Sequence, residues 1–175
     1  ILSRCTVLKL KPLYDQVIRK YLVEHNKVSP HQADVCTAFA RGNLGKAIAL
    51  SSSEEFMRLQ EIVLNLMKHV MDMPIADMLA SLKEMKDANL NIKDCLDFMQ
   101  LWFRDILMFK ATRDTSLFIF KDEYRYINEI ADHSSFVGIE KILAAIDKAK
   151  VRLDANVNYE LAMELMLLVM KENII

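Results

Sequence analysis

Residues 91–110 read NIKDCLDFMQLWFRDILMFK, and the spacing of their apolar side chains decides the fold. Cys95, Leu96, Met99, Trp102, Phe103, Ile106 and Leu107 recur every three or four positions, so one face of an α-helix gathers them all. Asn91 stands where an N-cap belongs, because its side-chain oxygen can accept from the free backbone N–H groups of the first turn. The rest of the chain agrees with this reading. Its 175 residues include only three Gly and three Pro, too few turn formers for a many-stranded β fold. With 53% hydrophobic and 27% charged residues, it can bury a substantial core and is not expected to be disordered.

Toward the C-terminus, Arg113 to Lys121 reads as a connector carrying the short aromatic run Phe118-Ile119-Phe120, followed by a shorter helix over roughly Glu123 to Ala131. Ser134 or Ser135 caps the next helix, whose stripe is Phe136, Ile139, Ile142, Leu143, Ile146, Ala149 and Leu153. Asn158 caps the last. From Leu161 to Met170 that helix is apolar at nearly every position apart from Glu164. A helix that is hydrophobic all round is either central to a large core or packed against partners on several sides. Both readings stay open at this point.

Toward the N-terminus, Ile75, Met78, Leu79, Leu82 and Met85 form a stripe beginning just after Pro74. Ser52 with Glu55 has the form of a capping box opening a helix over about 53–70, and Ser51-Ser52-Ser53 marks a boundary. Before it lies a cluster of three short helices. Pro12 is positioned to open the first, with Leu13, Val17, Ile18, Tyr21 and Leu22 at helical spacing. Ser29-Pro30 opens the second, which runs to Ala40 and stops at Gly42, and the third follows Asn43 with Ala47, Ile48 and Leu50.

The chemistry in the sequence is sparse. With 23 basic against 24 acidic residues there is no basic field to hold a duplex by phosphate neutralisation. Cys5, Cys36 and Cys95 show no Cys-x-x-Cys spacing, so neither a zinc ribbon nor a disulfide framework is indicated, and buried free thiols are expected. His25, His31, His69 and His133 share no ligand spacing and read as surface or cap residues; no metal or cofactor site is expected. Gly42-Asn43-Leu44-Gly45-Lys46 is too short for a phosphate-binding loop and follows a helix rather than a strand. Eleven methionines read as flexible core filling, with an adaptable partner surface as the alternative. Lys83 to Asp87 reads as a solvated helix face. The longest apolar run, Leu165 to Met170, is too short to span a bilayer, so a soluble, cytoplasmic location is expected. The chain opens on Ile1 rather than Met and reads as a fragment whose N-terminal part has been cut away.

Three parts of the chain carry a family resemblance, the last of them in two stretches. Ile1-Leu2-Ser3-Arg4-Cys5 resembles the end of a Thr-Ile-x-Ser-Arg-Cys stretch, and Ala40 to Leu50 resembles a small-domain segment holding a second nucleotide-sensing element. Trp102 to Leu107 and Asn156 to Glu164 are similar to two helices of a collar. In this order they resemble the delta-prime subunits of bacterial DNA polymerase III clamp loaders, relatives of the AAA+ ATPases. The resemblance implies an all-α chain: residues 1–8 close a nucleotide-binding domain, 9–52 form a three-helix lid, and 53–175 form a helical-bundle collar. It implies that Arg4, flanked by Ser3 and Cys5, is an arginine finger acting in trans on ATP held by a neighbouring subunit. A planar, permanently charged donor suits the transferring phosphoryl oxygens. Implied partners are the gamma or tau and delta subunits, with DNA met only through the complex and no cofactor of its own. Where hydrolysing members carry an arginine in the second segment, this chain has Gly45, and the adjacent Lys46 points elsewhere on the helix. That departure implies a non-catalytic subunit. The alternatives are the C-terminal part of an ATP-hydrolysing gamma or tau subunit, or a helical adaptor unrelated to replication.

Overall fold

In the computed structural model, which describes residues 10–174, every regular element is helical: nine α-helices and two 3-10 turns among the described residues. The chain divides between Ser52 and Ser53 into two compact units.

The first unit contains α1 (Asp15–His25), α2 (Pro30–Ala40) and α3 (Leu44–Ser51), each packed on the other two. Ser29 accepts from the Gln32 N–H and Asn43 from the Lys46 N–H, so the second and third helices start where their caps predict. Pro12 does not open the first. The helix begins at Asp15 behind an extended Tyr14, because Pro12 and Leu13 lie along the turn at Gly42 instead. The Leu13 N–H donates to the Gly42 carbonyl at 2.9 Å, and a Cβ on Gly42 would come within 2.3 Å of the Pro12 Cβ. Gly42 also holds φ +85°, so the turn requires glycine twice over. Of the stripe expected on α1, Ile18 and Leu22 are buried with Cys36, Phe39 and Ala47, while Leu13 and Val17 face outward.

The second unit contains α4 (Glu54–His69), α5 (Ile75–Asp87), α6 (Ile92–Thr112), α7 (Tyr124–His133), α8 (Phe136–Asp154) and α9 (Tyr159–Asn173). The helix quoted at the outset, α6, is its axis. It packs against α4, α7 and α8, and buries Phe98, Met99, Trp102 and Phe103 completely. At 1.5 Å per residue its 21 residues span about 30 Å, long enough to touch elements along the whole unit. Its N-cap is Asn91, accepting from the Lys93 and Asp94 N–H groups.

The expected capping box at Ser52 and Glu55 is not made. Ser53 caps α4 by accepting from the Phe56 N–H at 3.1 Å. Ser52 is spent as the C-cap of α3, where its hydroxyl reaches the Ile48 and Ala49 carbonyls. Of the two candidates for α8, Ser135 is the cap, accepting from the Gly138 N–H. Phe136, expected at the head of the α8 stripe, is half exposed, with the Lys110 ammonium over its ring. The methionines are mostly core: Met67, Met78, Met85, Met99, Met163, Met166 and Met170 are all buried. They fill irregular gaps that branched side chains would leave.

Candidate functional site

A helix apolar on every side must have its sides accounted for one by one, and α9 settles which are covered. Ala162, Met163, Met166, Leu167 and Met170 are buried, and its neighbours are α8 on one flank and α5 on the other. A third side has no helix of this unit over it among the described residues. Leu161 is 51% exposed and Leu165 39%, with Leu168 half-buried, and these three recur at i, i+4 and i+7 along one line. Beside them Ile75, at the start of α5, is 46% exposed. Part of this helix is therefore core, and part is an apolar stripe open to contact.

The stripe is held on a rigid support. Asn158 caps the helix by accepting from the Leu161 N–H at 3.0 Å. The Tyr159 hydroxyl donates to the Leu82 carbonyl on α5 at 2.9 Å, and burial pushes its phenol above the ordinary range, with Cys95 and Glu160 adding to the shift. Lys86 pairs with Glu160 at 3.0 Å. At the other end, the Lys171 ammonium donates to the carbonyls of Val70, Met71 and Met73 in the turn after α4. Gly138 lets the start of α8 approach so closely that a Cβ there would meet the Asn173 carbonyl at 2.6 Å.

A second device shapes the unit from within. Asp105 on α6 is completely buried, and its Oδ2 accepts from the Ile119 N–H at 2.7 Å and the Phe120 N–H at 3.0 Å. These bonds fold the connector back so that Phe120 meets Phe98 and Trp102, while Phe118 meets Phe109. Burial raises the Asp105 carboxyl above its usual range, opposed by the two backbone bonds and by Arg104 and Lys121. Nothing in sequence spacing singled it out. The signal was the pairing of an acid on a strongly apolar helix face with an aromatic run just beyond that helix.

The residues expected to carry chemistry fare differently. Arg4, Ser3 and Cys5 lie outside the described residues. Gly45 sits in the exposed first turn of α3, and the Lys46 ammonium rests 5.5 Å from the centre of the Phe39 ring. Burial pushes the Cys36 thiol up to about 11 and the Cys95 thiol up to about 12. Both therefore stay protonated and unreactive at neutral pH. His69 and His133 bond back to the Asn65 and Glu129 carbonyls of their own last turns, and His25 stacks on Tyr21. No group of three or more His, Cys, Asp or Glu residues among the described residues could hold a metal ion, and no helix there is long and apolar enough to cross a membrane.

The second unit carries the open stripe, and its family is recognisable. The family model for the C-terminal part of the DNA polymerase III delta subunit matches residues 54–172, more than half of the chain. The chain belongs to that family. The family match opens on the first residue of α4 and closes in the last turn of α9, so it spans the helices that carry the open stripe. Membership sets aside the reading as an adaptor unrelated to DNA polymerase III. The chain is also 28% identical, over 179 aligned positions, to the DNA polymerase III subunit delta' of Bacillus subtilis (strain 168). That alignment covers 98% of this chain and 52% of the relative, so the chain spans about half the relative's length.

Proposed function

We propose that this chain is the lid and collar of a delta-prime-type clamp-loader subunit acting in DNA replication. Residues 53–175 would serve as the collar, 9–52 as the lid, and 1–8 as the end of a nucleotide-binding domain. The observation that carries the reading is the coincidence of the family match over 54–172 with a compact helical unit whose last helix turns Leu161, Leu165 and Leu168 outward. An apolar stripe on a fixed helix is what a permanent subunit contact needs, since burying it removes area from water without ordering a loop first.

In this role the chain is a structural, non-catalytic subunit in the cytoplasm. It holds gamma or tau and delta subunits in a closed assembly and meets DNA only through them. Gly45 supports this over the hydrolysing gamma or tau alternative, because a glycine offers no side chain to a phosphate. ATP enters only in trans, through Arg4 reaching a neighbour's nucleotide. Mixing the purified chain with gamma and delta subunits at micromolar concentration tests the reading. A co-eluting complex is expected, and a chain that elutes alone contradicts it.

A further inference from the structure

The groove between α8 and α9 carries more information than an apolar stripe. About 400 Å³ in volume, it has a floor of Ala144 and Ala145, a wall of Leu165 and Val169, and a basic rim on α8. The rim residues are Lys141, Lys148 and Arg152, and none of the three forms an ion pair among the described residues. Several other cations on this unit are tied down: Lys150 binds Asp97 and Gln100 at 2.6 Å each, Lys93 pairs with Asp154, and Arg113 with Asp132. Glu172 is the single acid lining the groove. The site is a small-residue hollow under a net positive edge.

A matching face exists elsewhere on the same fold. On α4, Glu54, Met57 and Glu61 line a separate groove of about 650 Å³, together with Glu84 and Arg58, and Met57 is 46% exposed. Glu54, Met57 and Glu61 stand at i, i+3 and i+7, and so do Lys141, Ala144 and Lys148. Seven helical residues rise about 10.5 Å, so two carboxylates at this spacing meet both ammoniums at once. The methionine between them then falls on the alanine floor, as a large side chain does in a hole left by small ones.

We propose that the α8–α9 groove is the socket for an acidic helix face of the α4 type, presented by a neighbouring subunit of the same fold. The inference rests on the collar reading and specifies its contact: two carboxylates seven residues apart, with a large apolar side chain between them. Such a contact is heterologous, joining different faces of successive subunits, and contacts of this kind close into rings when the rotation allows. Charge sets register and encounter rate, and the apolar centre supplies the hold. A nucleic-acid backbone would use the same cations but gains nothing from Leu165, Val169 or the alanine floor.

The test uses the whole chain, titrated separately with purified delta and gamma subunits by light scattering or interferometry across a range of salt. The triple variant K141E/K148E/R152E is checked first for folding by thermal unfolding, since Lys141 and Lys148 are exposed and Arg152 is half-buried in the last turn of α8. It is expected to bind one of the two subunits about tenfold or more weakly, with a flatter salt dependence, as two reversed rim pairs and a third repulsive charge imply. If the unaltered chain binds and the triple variant binds equally well to both subunits, the socket is overturned while the collar reading stands. If the unaltered chain binds neither subunit, the collar reading itself has failed. If the charge reversal abolishes binding to a DNA duplex but leaves subunit affinity unchanged, the groove belongs to nucleic acid and the proposal is wrong.

Discussion

Asp105 is the residue on which the interior of the second unit turns, because it answers two buried N–H groups that no helix or strand satisfies. Removing it in Asp105→Ala leaves the Ile119 and Phe120 N–H groups unpaired, at a cost of about 2–5 kcal/mol on unfolding in urea. Asp105→Asn keeps one carbonyl acceptor and is expected to lose less. The two forms also differ in pH dependence. Burial raises the Asp105 carboxyl above 3.8, so the folded protein holds this proton at a pH where the unfolded chain has released it. The contribution is full below 3.8 and declines as pH rises through the raised value. The stability advantage of the unaltered chain over Asp105→Asn is therefore expected to be greatest in acid and to shrink toward neutrality. An advantage that grows with pH would show that the carboxylate is better accommodated than its burial implies. At the other end of the chain, Arg4→Ala in a reconstituted complex is expected to slow ATP turnover at the adjoining site on the order of a thousandfold while assembly is unaffected. Unchanged turnover would leave Arg4 an ordinary residue.

At the level of elements, the fold depends on α9 being clamped at both ends. Lys171 places one positive charge on three carbonyls at the end of α4, where the helix dipole is negative. Lys171→Ala is expected to lower the unfolding free energy by about 2 kcal/mol, since the turn loses a charged donor. Gly138→Ala, which drives a Cβ toward the Asn173 carbonyl, is expected to cost about 1–3 kcal/mol, read as a lower denaturant midpoint. Neither contact could be foreseen from spacing, because each joins residues far apart in the chain. The helices themselves were legible, and for a local reason. Ser29, Asn43, Asn91 and Asn158 announce helix starts by bonding within three residues, so sequence alone locates them. Where two serines compete, local reasoning slips by one position. Ser52 was needed to end α3, which left Ser53 to begin α4. For α9 the sequence exposed the excess of apolar residues but not which side was open. That depended on α5 and α8 covering two flanks and leaving the line of Leu161, Leu165 and Leu168.

At the scale of the whole molecule, the chain is two helical units without an assembled catalytic constellation among the described residues, and its open surface lies on the unit matched by the family. A near-neutral net charge of −1 gives no long-range pull toward nucleic acid. We propose that the outer line of α9 is where other clamp-loader subunits bind. The double variant L161D/L165D tests this contact, because both side chains reach the surface, at 51% and 39% exposure. Measured against delta and gamma subunits in parallel with thermal unfolding, the variant is expected to keep its melting temperature and to bind about a hundredfold more weakly, as desolvating two carboxylates in a contact would require. Binding at undiminished affinity by a folded double variant would contradict the account.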